Sequence, residues 1–448
     1  MAAKCGTLRV PEDRKRPQGR QISLRIAVIP ALARTPAPDP LFLLAGGPGQ
    51  GATEAFGPIL GVFDRVRKSR DLVLVDQRGT GSSNPLRCEL HPEGARLAEK
   101  LADEGLPEER FRRCLAGYDA DPRFYTTAIA MQDLDEVRKA LGYDQIDLWG
   151  GSYGTRAALV YLRDHGAHVR AVVLDGVAPY ALKLPATMAK DGQRALDLLL
   201  DGCAKDVACG AAFPNLRPRF ERLISSLEAE PARTRLADPV TGAISEVSIG
   251  RDAFASGIRG ILYSPELAAL VPLIVDRAAR GDFAPFAAAT TGFEEGFART
   301  LSLGMFLSVV CTEDVPFIDL EEAARSARGT FVGPALTEQV ARICKFWPRG
   351  ELPPGARDPV RSDRPVLLLS GELDPVTPPA WAEEAKRTLP NSLHLVVPGV
   401  GHGATPQGCV PQLVAKFVEG ASLQGLDGSC LQPLSRPPFF VSFAGPTP

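Results

Sequence analysis

Histidine is scarce in this chain, with five in 448 residues, and tryptophan (three) and methionine (four) are scarcer. Neither charge sign dominates: 51 Lys and Arg face 53 Asp and Glu, a formal charge of −2. That balance argues against a nucleic-acid-binding face and against an acidic, solvating tail. No apolar run approaches the ~18–20 residues that span a bilayer, so no integral membrane segment is expected. The longest run, Leu301 to Cys311, reads as a buried segment. The opening Met-Ala-Ala-Lys-Cys-Gly has no apolar signal core, so an export signal is expected to be absent from this chain. Internal repeats and low-complexity tracts are also missing. At 45% hydrophobic and 23% charged residues, disorder, collagen and coiled coil are poor readings. The histidine shortage helps most, because a histidine-dependent active site has only five candidates.

Glycine (43) and proline (40) are plentiful and imply many turns between short elements. Nine cysteines are also present. Spacing suggests the pairs Cys88–Cys114, Cys203–Cys209, Cys311–Cys344 and Cys409–Cys430, with Cys5 left over. Spacing does not fix connectivity, and the alternative is a set of reduced, buried thiols. Disulfides would place the protein in an oxidising compartment, secreted or periplasmic.

Ile22 to Ile29 alternates like a half-exposed strand. Short apolar runs follow at Leu41–Leu44, Leu72–Val75, Ile146–Trp149, Ala171–Leu174, Val366–Leu369 and Leu393–Val397, each ending in a Gly-rich or polar turn. Helical patterns lie between them at Thr127–Leu141, Gly154–Arg163, Ala380–Leu389 and Val410–Glu419. This alternation predicts an open, mostly parallel α/β sheet, with its chemistry at the carboxyl ends of the strands. The alternation breaks from Pro179 to about Asp363, where helical patterns at Gln193–Leu200, Leu216–Leu227, Pro265–Ala279 and Glu321–Ala327 suggest an inserted helical domain. The expected division is 1–178 and 364–448 for the two parts of the core, with 179–363 as the insertion. Pro433 to Pro448 is expected to pack as an extended tail or fray.

Gly150-Gly151-Ser152-Tyr153-Gly154 matches G-x-S-x-G between a strand and a helix-forming run. That context makes Ser152 the candidate nucleophile, lifted on a sharp turn at a helix N-terminus. Its partners should follow in the order acid, then histidine. Asp374 in Gly-Glu-Leu-Asp-Pro-Val and His402 in Gly-His-Gly both lie after strands. Glu372 is the rival acid, and His91, His165, His168 and His394 read as structural or solvated. Gly46-Gly47-Pro48-Gly49 follows the first buried strand, so the amides of Gly47 and Tyr153 are the expected oxyanion donors. A competing reading takes Gly47, Gly49 and Ala52 as a dinucleotide fingerprint with Asp76 on the ribose. Asp76 lies well beyond the usual ~20-residue spacing, and that reading leaves Ser152, Asp374 and His402 without a role.

Taken with Asp76-Gln77-Arg78-Gly79-Thr80-Gly81-Ser82, these motifs resemble the α/β-hydrolase serine aminopeptidases, the prolyl iminopeptidase and tripeptidyl aminopeptidase group. The stretch from Cys344-Lys-Phe-Trp-Pro to Cys409 resembles the tripeptidyl-aminopeptidase-type C-terminal region. The resemblance covers roughly Cys5 to Ala178 and Cys344 to Cys430. It implies an α/β-hydrolase fold with an inserted helical cap. It further implies hydrolysis at a free N-terminus through an acyl-enzyme, with no cofactor, no metal, and often export. Ala45 stands where iminopeptidases carry histidine, which speaks against a narrow proline specificity. An aminopeptidase must bind an ammonium, so a carboxylate is needed near the cleft. Glu313 and Asp314 are the candidates, and a solvated or helix-capping pair is the alternative. Arg78 is expected either to brace the oxyanion loops or to pair with Asp76 or another acid. The substrate would be a short peptide. A carboxylesterase or amide hydrolase for small molecules, and a non-catalytic binding protein on the same fold, are the other readings.

Overall fold

The structure is a computed structural model. It describes residues 2–89, 91, 95–101, 105–298 and 300–446, and of residues 293–298 the backbone alone. Eight strands form one sheet: β1 (Lys4–Pro11), β2 (Gln21–Ile29), β3 (Leu41–Leu44), β4 (Leu72–Val75), β5 (Ile146–Gly151), β6 (Val169–Asp175), and, after a separate hairpin β7 (Ala232–Ala237) and β8 (Ile244–Ile249), β9 (Val366–Gly371) and β10 (Ser392–Val397). The order across the sheet is β1-β2-β4-β3-β5-β6-β9-β10. β2 runs antiparallel to both β1 and β4, and every pairing from β4 to β10 is parallel.

Burial explains which strands read clearly. β3, β4 and β9 are buried at every residue, as a parallel sheet covered on both faces requires. β2 alternates, with Ile22, Leu24 and Ile26 inside and Ser23 outside. β1 was not anticipated. It is an exposed antiparallel edge whose residues give no apolar run. Helices Thr127–Ala140 and Tyr153–His165 pack one face of the sheet through Met131, Leu134, Val137, Ala157, Val160 and Tyr161. The helix Val410–Gly420 covers the other face through Val410, Val414 and Phe417.

Between β6 and β9 the chain is mainly helical, with a hydrophobic core that includes Leu196, Leu199, Phe220, Phe254, Ile258 and Phe286 and is joined by Leu97 and Leu101. Two details differ from expectation. The hairpin β7–β8 sits within this stretch, and the run 265–279 divides into Pro265–Ala268 and Val271–Ala278. Pro272 lies in the first turn of the second helix, where its missing N–H is harmless. The Leu301–Cys311 run forms most of the buried helix Leu303–Glu313. The C-terminal segment runs extended over this region, with Phe439 in its core and the Phe440 amide bonded to the Ala269 carbonyl at 3.1 Å.

All four cysteine pairs suggested by spacing are disulfides, with Cα separations of 5.6, 5.2, 5.1 and 6.4 Å in chain order, and Cys5 is free and exposed. Bridges of this kind persist in oxidising compartments. Among the described residues, no helix is long and apolar enough to cross a membrane.

Candidate active site

Ser152 follows β5 and precedes the helix Tyr153–His165. Its backbone has φ 55° and ψ −124°, a strained setting for a side-chain-bearing residue. The turn is held from both sides. The Ser152 amide donates to the Asp175 carbonyl at 2.8 Å, and Thr155 N and Oγ1 both donate to the Ser152 carbonyl. It is tight enough to require glycine: a side chain at Gly150 would meet the Gly154 carbonyl, and one at Gly154 the Leu44 carbonyl of β3.

Asp374 lies past the end of β9 and is fully buried. Its Oδ1 accepts the amides of Val376 and Thr377, each at 2.8 Å. Its Oδ2 accepts the Thr377 hydroxyl at 2.8 Å and faces His402 Nδ1 at 2.8 Å. An ionised carboxylate only accepts, so Nδ1 carries the proton and Nε2 is left as the base. Burial alone would raise this carboxyl, but the His402 charge and hydrogen bond, with the two amides, hold it below its ordinary value. Glu372 is exposed and accepts the Gly399 amide, away from the histidine.

The loop after β10 carries His402, whose side chain is 13% exposed. The loop is tied to the end of β6, where Asp175 accepts the amides of Ala404 (2.8 Å) and Thr405 (2.7 Å) and the Thr405 hydroxyl (2.6 Å). The Asp175 carbonyl also holds the Ser152 amide, so one buried residue anchors both loops. The remaining described histidine contacts are structural. His394 bridges Glu383 and Ser370, His168 faces the Asp144 carbonyl, and His165 lies against Asp135 and Tyr161.

The oxyanion candidates sit beside Ser152. A Cβ on Gly46 would stand 3.1 Å from Ser152 Cβ, which brings Gly47 next to the serine. Tyr153 is the first residue of its helix, where the amide has no intrahelical partner. Over this loop lies the segment before the helix Leu303–Glu313: Ser302 N donates to the Gly49 carbonyl at 2.8 Å, and Leu301 bridges to Gln50.

Residues 39–227 match the family model for the α/β hydrolase fold, and residues 329–430 match that for TAP-like protein. The chain has the α/β-hydrolase fold with a TAP-like C-terminal region. Serine protease Hip1 of Mycobacterium tuberculosis is 29% identical over 477 aligned residues, which span 96% of this chain and 87% of that protein. Carboxylesterase B of the same organism is 29% identical over 269 residues, 54% of this chain and 51% of that one. Tripeptidyl aminopeptidase of Streptomyces lividans is 30% identical over 188 residues, 39% of this chain and 35% of that one. The hydrolase is a serine hydrolase.

Glu313 and Asp314, expected near the cleft to receive an ammonium, are already engaged by other groups. Both are fully buried. Glu313 accepts the Thr127 amide (2.7 Å), the Thr127 hydroxyl (2.8 Å) and the Tyr180 hydroxyl (3.1 Å). Asp314 takes a two-pronged bond from Arg156 at 2.9 and 3.1 Å. Thr127 Oγ1 also lies 2.7 Å from the Tyr153 hydroxyl, so this network braces the helix that starts at Ser152. Arg78 pairs with Asp133 at 2.6 and 2.8 Å, not with Asp76. Asp76 instead accepts the amides of Thr53 (2.8 Å) and Ser82 (3.0 Å), which engages the carboxylate that the dinucleotide reading needed. Among the described residues no group of three or more His, Cys, Asp or Glu is arranged to hold a metal ion.

Sequence reasoning missed three residues around the Asp374–His402 pair. Thr377 had a local signal, because Asp-Pro-Val-Thr is an Asx-type turn in which the aspartate binds backbone amides two and three residues on. Tyr263 and Asp191 had none. Tyr263 meets the His402 ring edge-on at 5.1 Å, and its carbonyl accepts the His402 amide at 2.9 Å. Asp191 is 7% exposed and accepts Trp381 Nε1 at 3.0 Å.

Burial pulls His402 toward neutrality, but the charge and hydrogen bond of Asp374 and the charge of Asp175 outweigh it, and the imidazole ends above its ordinary value. A general base must be neutral to accept a proton. The acid limb of kcat/KM for a neutral ester should therefore fall above pH ~6.5. The stability linkage has the opposite sense. The raised histidine contributes stability that is fully present below pH ~6.5 and is lost as pH rises through its folded-state value. A pH profile with its limb at or below pH ~6.5 would contradict the placement of Asp374 and Asp175 around the ring.

Proposed function

We propose that this hydrolase cleaves short peptides at a free N-terminus, through an acyl-enzyme on Ser152. The Ser152 hydroxyl oxygen attacks the carbonyl carbon as His402 Nε2 takes its proton, and the carbonyl electrons move onto oxygen. The amides of Gly47 and Tyr153 receive that oxyanion. The carbon–nitrogen bond then breaks, with the His402 proton passing to the leaving amine. Water repeats the sequence to release the acyl group. Asp374 holds the imidazole tautomer and stabilises the imidazolium. The observation that carries this reading is the buried Asp374–His402 pair, tied through Asp175 to the Ser152 turn. Similarity to a serine protease over 96% of the chain, and to a tripeptidyl aminopeptidase over 39%, favours peptides as substrates.

In this reading residues 179–363 are a cap on a core made of 1–178 and 364–448. The ammonium of the substrate needs a carboxylate with an open oxygen. Glu313 and Asp314 are engaged by Thr127, Tyr180 and Arg156, which leaves Asp191 as the better acceptor. Only Oδ2 of Asp191 is bonded by a described side chain, and burial first, then the Asp374 charge, push its carboxyl up to about 6. A cation beside it would relieve that cost. The four disulfides support a secreted or periplasmic location.

The deciding experiment is a panel of tripeptidyl and aminoacyl anilides, with free and acetylated N-termini. The free-amine forms should turn over faster. Asp191→Asn should raise KM for a free-amine substrate roughly tenfold more than for a neutral ester. Turnover of blocked substrates alone would reject the aminopeptidase reading. It would favour a carboxylesterase or amide hydrolase, the second reading, which the match to carboxylesterase B supports.

A further inference from the structure

Arg259 lies on the helix Arg251–Ile261, in the stretch between β6 and β9. Its guanidinium stands over the Tyr263 ring, 5.6 Å from the centroid, and Nη2 reaches the Tyr263 hydroxyl at 3.5 Å. Tyr263 also meets the His402 ring, at 5.1 Å. One aromatic ring therefore separates the guanidinium from the imidazole. Among the described residues no carboxylate lies within ion-pair distance of Arg259, and its Nε is buried with no hydrogen-bond partner. Arg194, on the helix Met188–Lys205, repeats the pattern: Nη1 is buried and unpartnered, while Nη2 donates at 3.0 Å to the carbonyl of Glu372, two residues from Asp374. The helices are close here, since a Cβ on Gly192 would stand 3.6 Å from Arg259 Cδ. Asp191, the neighbouring acid, gives an oxygen to Trp381 instead. Buried donors without partners are destabilising, and native proteins seldom keep them without a ligand or a function.

The geometry points to a carboxylate-recognition site formed by Arg259, with Arg194 on the neighbouring helix, which receives an anionic carboxylate of the substrate next to His402. A guanidinium offers two parallel N–H donors to a carboxylate, a match that a neutral amide does not reproduce. This rests on the peptidase reading for its natural substrate, though the anion preference itself does not depend on it. With Asp191 for the ammonium, the cleft would suit short zwitterionic peptides. The carboxylate comes either from a peptide C-terminus or from an acidic side chain.

The test compares kcat/KM for tripeptides and tetrapeptides as free acids and as carboxamides, and for the same peptides with Glu or Gln near the cleaved bond. The wild type should favour the anionic member of one pair roughly tenfold or more. The pair that shows the preference identifies the source of the carboxylate. Arg259→Gln should bring that ratio close to one, and Arg259→Lys should keep part of it. A wild-type ratio near one overturns the site without any variant, and so does a ratio that survives in Arg259→Gln. If no peptide turns over, the peptidase reading fails separately. The same ratio is then read from p-nitrophenyl hemisuccinate against p-nitrophenyl butyrate, and equal turnover there overturns the site.

Discussion

Ser152→Ala should lower kcat for a p-nitrophenyl ester by a factor on the order of 10⁴ or more, with the Tm holding within about 2 °C. The size follows from the unit nature of the site: without the hydroxyl, the base and the oxyanion donors have no bond to make. The small stability change follows from the local structure. The turn at Ser152 is held by backbone bonds to Asp175 and Thr155 and by the close approach of Gly150 and Gly154, none of which uses the serine side chain. Among the described residues, Ser152 Oγ has no hydrogen-bond partner. Alanine keeps the Cβ that already tolerates φ 55°, so no new backbone strain arises. Residual turnover above a hundredth of wild type would move the nucleophile elsewhere. A collapse in Tm would show that the hydroxyl is structural.

The parts of this molecule that can be read from local sequence are those whose constraint is local. β3, β4 and β9 are buried on both faces, so only apolar residues fit, and the runs stand out. Asp374 and His402 could be named together because in a parallel sheet the loops after successive strands gather at one edge, and they meet at 2.8 Å. The acid was ambiguous by two residues, and what separates Asp374 from Glu372 is the Asx turn through Val376 and Thr377. β1 escaped because an exposed antiparallel edge imposes no pattern. Glu313 and Asp314 show where local reading stops. The apolar run before them is buried as expected, yet their partner Arg156 lies on the helix that begins after Ser152, far away in the chain. Nothing near Glu313 announces that pairing, and without it a buried carboxylate looks like a waiting ligand site. Asp191, Arg259 and Tyr263 are similar cases, because they lie on helices, or in the turn after one, in the mainly helical stretch between β6 and β9.

The buried pairing carries the largest stability effect expected of a single substitution. Arg156→Met should destabilise the fold by about 3–5 kcal/mol. Arg156 is 1% exposed and Asp314 and Glu313 are not exposed at all, so water cannot replace the guanidinium. Its Nη2 also donates to the Leu182 carbonyl at 2.8 Å, and its plane lies over the Tyr180 ring at 4.8 Å. Burial already pushes both carboxyls above their ordinary values even with Arg156 opposing it. Methionine fills much of the volume but leaves two carboxylates in a dry interior, with Arg357 as the nearest remaining cation to Asp314. Two consequences separate lost charge compensation from lost packing. Adding Asp314→Leu to Arg156→Met should recover part of the stability, since it removes one of the uncompensated acids. The deficit of Arg156→Met should also be larger at pH 8 than at pH 5, because the stranded carboxyls, with pKa values raised by burial, take up protons in the folded state as pH falls. Urea unfolding of the wild type and both variants at the two pH values reads each point. A deficit that is the same at both pH values, and undiminished in the double variant, would mean that Arg156 acts by filling space and that Glu313 and Asp314 do not depend on its charge.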